Sequence, residues 1–216
     1  MKLRNDLEDI IKEVKKTRNT GPVKGTPYFF KAETSRLSNQ NQKYGIEISA
    51  EDDYHTLVKL HKALPENTPE PISMVRDDFG KVIGYLMTRV PGKTLGKYLY
   101  IQDEAKEKLI FVLNRLSQSG IVHGDIRSKN IMCTDDNVYL IDPMGTDCHP
   151  NVREKDAQQD RMFSKSIINA FPSVSEVRGN PYRALTGIID RIKYIYNARV
   201  AYHVGRRGSS DIKYSL

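Results

Sequence analysis

A histidine, two aspartates and an asparagine stand at fixed offsets in GIVHGDIRSKNIMCTDDNVYLIDPMG, residues 120–145. His123 and Asp125 are followed by Asn130, which fits the pattern H-x-D-x-x-x-x-N, and Asp142 comes twelve positions after Asn130. Phosphoryl transfer needs one carboxylate that orients or deprotonates the acceptor hydroxyl. It also needs an amide oxygen and a second carboxylate that hold magnesium ions. The segment supplies these groups in that order.

The neighbours of these residues bear on the same interpretation. Arg127, two residues after Asp125, supplies a fixed cation that can contact a transferring phosphate. We interpret His123 as a structural member of the loop that bonds the backbone near Asp142, and not as a catalytic base. The alternative is an ordinary β-hairpin in which Asp, Asn and Gly only form turns. The distance to Asp142, which follows the apolar run VYLI, favours the catalytic interpretation.

The composition is that of a globular chain with excess positive charge. The 216 residues are 38% apolar and 28% charged, which is typical of one domain or two small lobes. A net charge of +7 favours anionic partners such as nucleotide, RNA or an acidic protein, and a solvated basic surface explains it equally well. We predict that Cys133 and Cys148 are reduced and structurally incidental.

We find neither an apolar run of membrane-spanning length nor the apolar core of a signal peptide. We therefore predict no contact with a membrane and a cytoplasmic location. Delivery into a host cell by a route without a signal peptide would leave no trace in the sequence and stays open.

Apolar spacing and helix-breaking residues predict the elements of the first half. Residues 3–16 have helical spacing, and YFFKAE, residues 28–33, is typical of a strand. A helix follows Ser49, a candidate N-cap with acids in the next turn, and ends at PENTPEP. Residues 72–90 predict two antiparallel strands around a turn near residues 77–80.

The second half is predicted to be mainly helical. Helical patterns cover residues 94–100 and 104–118, and short strands are expected at 121–122 and 138–141, on either side of the polar loop. From about residue 153 to 203 the pattern is helical again, with an interruption at FPSVSEVRGNP.

This order predicts an α+β fold with two lobes. Residues 1–90 form an N-terminal lobe that contains the first helix, an abbreviated sheet and a second helix. Residues 91–216 form a mainly helical C-terminal lobe with a basic tail, and RVPGKT is the hinge. The cleft between such lobes is a common ligand site.

The pattern from His123 to Asp142 resembles the catalytic loop and metal-binding aspartate of the protein-kinase-like superfamily. The resemblance implies a bilobal kinase-like fold and the binding of ATP with Mg²⁺ or Mn²⁺. By the same resemblance Asp125 is the base, and Asn130 and Asp142 are metal ligands.

Two further segments resemble the nucleotide site of kinases. GYLMTRVPGKTL resembles the hinge, which implies that Met87 borders the adenine and that the backbones of Thr88 and Val90 bond its edge. Lys31 in YFFKAE resembles the strand lysine that contacts the α- and β-phosphates.

The surroundings of Lys31 depart from the kinase pattern. The glutamate that usually positions such a lysine is replaced by Asp53, and Glu51 is the alternative. Only Gly21 and Gly25 precede Lys31, where a glycine-rich loop is expected. Either this hairpin is abbreviated, with TRNTG as its turn, or the phosphates are covered in another way.

IDPMGTDCHPNVREKDAQQDRMF resembles the RIO kinases, in which a His-Pro-Asn-type turn and a helix carrying an aspartate follow the metal-binding aspartate. Here His149-Pro150-Asn151 and Asp160 match, which implies that Asp160 braces the catalytic loop. The form DPMG replaces D-F-G, no A-P-E follows, and Gly124 stands where regulated kinases carry an arginine. The chain is also similar to the small kinase subunit of the KEOPS tRNA-modification complex.

We therefore predict an ATP-dependent atypical Ser/Thr protein kinase, either RIO-like or a minimal effector-type enzyme, with a protein substrate. Two alternatives stay open. One is a small-molecule kinase, because aminoglycoside-type and fructosamine-type kinases share the HGD form. The other is an ATPase or pseudokinase scaffold whose basic surface contacts RNA or a ribonucleoprotein.

Overall fold

The computed structural model describes residues 2–33, 42–43, 46–180 and 182–193. Its helices are α1 (Lys2–Thr17), α2 (Ala50–Ala63), α3 (Asp103–Ser119), α4 (Pro150–Ala170), α5 (Val174–Gly179) and α6 (residues 182–193). Its strands are β1 (Gly21–Pro22), β2 (Tyr28–Ala32), β3 (Gln42–Lys43), β4 (Ile46–Glu47), β5 (Pro71–Arg76), β6 (Val82–Thr88), β7 (Lys93–Thr94), β8 (Ile131–Cys133) and β9 (Val138–Leu140). The predicted α+β fold is confirmed: a small antiparallel sheet forms the N-terminal lobe, and helices dominate the C-terminal lobe.

The N-terminal lobe is a four-stranded sheet between two helices. Its strand order is β1-β2-β6-β5, with Lys31 of β2 opposite Tyr85 of β6. Side chains of a strand alternate between its faces. Leu86 therefore packs with the apolar residues of α1, whereas Tyr85 and Met87 pack with Leu57 of α2. Burial on both faces fixes the register that places Lys31 beside the interlobe cleft.

Ser49 begins α2 as the sequence predicts. Its hydroxyl accepts from the Asp52 backbone N–H, and the Asp52 carboxylate accepts from the Ser49 N–H at 2.9 Å. This reciprocal capping box satisfies two N–H groups that the helix leaves without partners. It sets the starting point of α2 and so which of its side chains face the cleft.

The core of the C-terminal lobe joins α3, α4 and the β8–β9 hairpin. Its most buried residues come from all of these elements and include Leu109, Leu113, Ile131 and Ile167. The buried Lys106 ammonium donates to Ile168 O near the end of α4 and to Phe171 O at 2.8 Å. These bonds satisfy a buried cation and helix-end carbonyls together. The α3–α4 pair packs against the hairpin that carries the site.

Two predicted elements of the C-terminal lobe are wrong. Residues 94–100 are not an α-helix, because β7 continues into a single 3₁₀ turn, Leu95–Lys97, and then into extended chain. Residues 121–122 are not a strand, because the Val122 N–H is bound by the side chain of Asp147 at 2.9 Å. The partner of β9 is β8, which follows the polar loop. The predicted boundary at residue 90 lies between β6 and β7, and the basic tail lies outside the described residues.

Candidate active site

Asp125, Arg127 and Asn130 lie together in the HGD loop, residues 123–130. The Asn130 amide donates to Asp125 Oδ2 at 2.7 Å and to the Asp125 carbonyl at 3.0 Å. The Arg127 guanidinium forms an ion pair with the same Oδ2. Within the described residues the other oxygen, Oδ1, makes no hydrogen bond. The orientation of the Asp125 carboxylate is therefore fixed, and its Oδ1 atom can still accept a hydrogen bond.

The β8–β9 hairpin brings Asp142 beside the HGD loop. The Ile141 N–H donates to Asn130 O at 2.9 Å, one step beyond the ladder of the hairpin. Asp142 has a φ of 58°, a conformation that is strained for a residue with a side chain and is often found at functional sites. The Lys31 ammonium, on β2 of the other lobe, forms an ion pair with Asp142. The two lobes therefore meet at this carboxylate.

Asn130 and Asp142 form a donor set that fits magnesium. The Asn130 Oδ1 and Asp142 Oδ2 atoms make no hydrogen bond within the described residues, and both are hard oxygen donors. Among the residues that the structure describes, no group of three His, Cys, Asp or Glu side chains could hold a metal. A cation at this position would complete its shell with water or phosphate oxygens, as Mg²⁺ usually does.

His123 and Asp160 support the HGD loop from the interior. The fully buried His123 ring bonds Ile141 O through Nε2 at 3.1 Å, and burial lowers its pKa. Asp160 on α4 accepts from the N–H groups of His123 at 2.8 Å and Gly124 at 2.9 Å. Gly124 has a φ of 78°, and a Cβ there would lie 2.4 Å from Thr146 Oγ1. The predicted structural roles of His123 and Asp160 agree with these contacts.

The two acids proposed as partners of Lys31 face different surroundings. Glu51 forms an ion pair with Arg76, with 3.0 Å between Oε1 and Nη2, and is engaged away from the site. Asp53 Oδ1 accepts from the Gly145 N–H at 2.8 Å. Burial raises the pKa of Asp53 to about 7, although the charge of Lys31 opposes this rise. The charge of Lys31 thus acts on Asp53, and Asp53 binds the chain three residues beyond Asp142.

The segment that begins at Gly145, the partner of Asp53, packs along α2. Residues 145–149 comprise a 3₁₀ turn, Gly145–Cys148, and His149. A Cβ at Gly145 would lie 2.2 Å from that of Asp52, so only glycine permits this close approach. One turn further along α2, Thr56 Oγ1 lies 3.8 Å from Cys148 Sγ. We call the contact of residues 145–149 with α2 the α2–turn interface.

Asp147 is the polar centre of the α2–turn interface, and sequence reasoning missed it. Its buried carboxylate accepts from Lys59 of α2 at 2.7 Å, from the Val122 N–H at 2.9 Å and from Arg153 of α4 at 3.1 Å. Arg153 also donates to Gly120 O. Although burial opposes ionisation, these donors hold the pKa of Asp147 below its usual value. One carboxylate thus connects α2, α4 and the chain that enters the HGD loop.

The predicted hinge follows directly from β6. Met87 is buried against α2. The Thr88 N–H donates to Glu70 O at 2.9 Å and is therefore not available to a ligand. The Val90 N–H makes no hydrogen bond within the described residues. The backbone of the hinge thus retains an N–H group that can bind an adenine edge.

The hairpin before Lys31 is short, but its predicted turn is wrong. Thr17 is the last residue of α1, so TRNTG is not the turn of the hairpin. The turn lies between β1 and β2 at residues 23–27, where the Val23 N–H donates to Tyr28 O at 3.0 Å and Gly25 has a φ of 72°. A single glycine at the tip leaves little backbone to cover phosphates.

Comparison with known families decides the class of this site. A family model described as the RIO domain matches residues 22–164, more than half of the chain. The chain belongs to the RIO family. The resemblance of the DPMG–HPN region to RIO kinases is thereby confirmed, and the family is an atypical kinase-like group that uses ATP. No curated protein sequence shows significant similarity to the chain.

The RIO match spans Lys31, the HGD loop, Asp142 and Asp160, all the groups whose geometry is given above. It excludes α1, which ends before residue 22, and α5 and α6, which follow residue 164. Among the described helices, none has both the length and the apolar composition that crossing a bilayer requires.

Replacement of Asp147 tests the α2–turn interface. Asp147→Ala leaves the Val122 N–H and two cations without their acceptor, so we expect the free energy of unfolding to fall by about 2–4 kcal/mol. Lys59→Ala should cost less than about 1 kcal/mol, because the Lys59 side chain is 47% exposed. Urea denaturation followed by circular dichroism measures both values. An equal decrease in the free energy of unfolding for the two variants would contradict the central position of Asp147.

The raised pKa of Asp53 predicts a pH-dependent stability. Its pKa moves from 3.8 to about 7 on folding, so its contribution to stability is full below pH 3.8 and is lost as pH rises through about 7. The side chain in the Asp53→Asn variant is neutral at every pH, and its oxygen can still accept from the Gly145 N–H. The variant should gain stability over the wild type as pH rises from about 4 to 8, by about 1–3 kcal/mol.

Denaturation at several pH values without nucleotide or Mg²⁺ measures this difference. The exposed Asp9→Asn is the matched control and should show no such trend. A difference between Asp53→Asn and wild type that is constant across the range would exclude an uncharged Asp53.

Proposed function

We propose that this RIO-family chain is a kinase that transfers the γ-phosphate of ATP to a serine or threonine hydroxyl of a protein. One observation carries the proposal: the carboxylates of Asp125 and Asp142 and the amide of Asn130 lie in one site, which Lys31 reaches from the other lobe. Membership of an ATP-using, kinase-like family supports the class of reaction.

Asp125 acts as the base in this proposal. The acceptor hydroxyl binds the free Oδ1, and its oxygen forms a bond to the γ-phosphorus of ATP. The bond from that phosphorus to the β–γ bridging oxygen breaks, ADP leaves, and the hydroxyl proton passes to Asp125 and then to water. Asn130 and Arg127 hold Oδ2 and so fix the direction of Oδ1. Arg127 would also contact the transferred phosphate.

Asn130 and Asp142 would hold Mg²⁺ through the oxygens described above. The bound ion neutralises phosphate charge during transfer. Lys31, now paired with Asp142, is the cation closest to this carboxylate and would contact the α- and β-phosphates. Asp53 would interact with the charge of Lys31 when its carboxylate is ionised, and it fixes the chain at Gly145.

The hinge would bind the adenine. Met87 forms an apolar wall, and the Val90 N–H and the Thr88 carbonyl would bond the adenine edge. The short hairpin at residues 23–27 covers the phosphates with little backbone, so we expect weaker nucleotide binding than a full glycine-rich loop provides.

A protein acceptor is favoured over a small molecule by the position of the cavities among the described residues. A small acceptor needs a concave pocket that buries most of its surface. Two cavities in the described part of the chain lie along α3 and α4, one beside Leu116 and Arg153 and the other beside Leu113 and Met162, and Asp125 lines neither of them. A protein acceptor brings its own surface and needs no such enclosure.

Substitution of the two carboxylates tests the mechanism. Asp125→Asn removes the base and should lower kcat by about 10²–10⁴-fold with little change in the KM for ATP. Asp142→Ala removes a metal ligand and should abolish transfer. The measurement is transfer of labelled γ-phosphate to Ser/Thr peptides with Mg²⁺, with thermal unfolding as the check of folding. Asp78→Asn, at an exposed carboxylate, is the control, and transfer that survives Asp142→Ala would exclude the mechanism.

A further inference from the structure

Three exposed lysines border the HGD loop. We define the lysine patch as Lys93 of β7, Lys97 at the end of the following 3₁₀ turn, and Lys129 in the turn Ser128–Asn130. None of the three forms an ion pair within the described residues. Their charges therefore act on whatever approaches this surface.

The fold places the lysine patch next to the proposed base. A Cβ at Gly96 would lie 3.2 Å from Ser128 Oγ, so the turn that ends at Lys97 rests on the turn that contains Lys129. Lys129 immediately precedes Asn130, whose amide holds Asp125. The patch therefore adjoins the position at which the acceptor hydroxyl must arrive.

Charges at this position act on the acceptor at short range. Electrostatic attraction extends about 10 Å at 0.1 M salt, so the patch acts on residues that flank the acceptor hydroxyl. Three unpaired cations would repel a basic acceptor segment and attract an acidic one. A surface of this kind selects partners by charge without the need for a pocket.

The carboxylates beside the lysine patch favour a peptide over a nucleic acid as its partner. The β8–β9 turn carries exposed Asp135 and Asp136, and Thr134 of this turn lies beside Gly92, next to Lys93. The Tyr98 hydroxyl, next in sequence to Lys97, donates to Cys133 O at 3.1 Å, at the start of the turn that carries Asp135. Burial, and to a smaller extent the charge of Asp135, raises the pKa of Tyr98. A nucleic acid needs a run of phosphate contacts, which these carboxylates would interrupt.

We propose that the lysine patch binds anionic side chains that flank the acceptor hydroxyl, so that the substrate is an acidic or already phosphorylated segment of a protein. This inference rests on the proposed kinase function, because it assigns the class of substrate for the same site. Carboxylate and phosphate groups share the chemistry that lysine recognises, and separate peptides distinguish them.

Equilibrium binding tests the patch without requiring catalysis. Fluorescence anisotropy would compare serine peptides flanked by Glu, by phosphoserine or by Ala, at about 50 and 300 mM salt. We expect binding of an anionic peptide to be about tenfold tighter than that of the Ala peptide, and weaker at the higher salt. Lys97→Glu/Lys129→Glu should remove this preference. Lys165→Glu, at an exposed lysine of α4, makes the same kind of charge change elsewhere and should preserve it.

Phosphate transfer to the same peptides separates the two proposals. A preference in binding without any transfer would retain the patch and contradict the proposed function. Transfer without preference, or a preference that survives Lys97→Glu/Lys129→Glu, would overturn the patch and retain the function. A 20-nucleotide RNA that binds through these lysines while anionic peptides do not would also overturn the proposal. Lys165→Glu should leave the rate of transfer unchanged, and circular dichroism verifies that each variant is folded.

Discussion

The buried carboxylate of Asp147 is the interaction on which the arrangement of the site depends. It accepts from Lys59 on α2, from Arg153 on α4 and from the backbone of Val122, one residue before the HGD loop. A charge with 4% of its side chain exposed is tolerated only when it is fully paired, so these three elements must keep their relative positions. Asp53 then reaches Gly145, and Lys31 reaches Asp142 across the cleft. The contact between Asp53 and Gly145 assumes that α2 is already in place.

This arrangement leaves little for phosphorylation to switch. Seven residues, PMGTDCH, lie between Asp142 and Pro150, and Thr146 is the only hydroxyl among them. Thr146 is fully buried against Gly124, so a phosphate could not be added there while the α2–turn interface is intact. In place of a long loop that is ordered by phosphate, a short turn packs on α2. The proposed kinase would then be competent as folded, and selection of substrates would rest on surface charge beside the base.

The sequence predicts best what depends on neighbours along the chain. Asp125, Asn130 and Asp142 lie in one continuous segment, and Ser49 forms its capping box with residues of the next turn. Both features could therefore be predicted from the sequence without knowledge of the fold. The strand β8 was missed because its apolar run, IMC, is shorter than the run VYLI that predicted β9, and β7 was missed because its pairing with β8 is decided at a distance. Asp147 was missed for the same reason: its partners come from three separate elements. The turn before Lys31 was misplaced because α1 continues through Thr17.

The most direct test of this account follows phosphate transfer from the first turnover. The protein would be treated with a phosphatase, verified as unphosphorylated by mass spectrometry, and mixed rapidly with labelled ATP, Mg²⁺ and a serine peptide. A kinase whose α2 is held by Asp147 should transfer phosphate at a constant rate from the start, without a lag. A lag that disappears after incubation with ATP alone, or the absence of any transfer, would contradict a site that is assembled by folding alone.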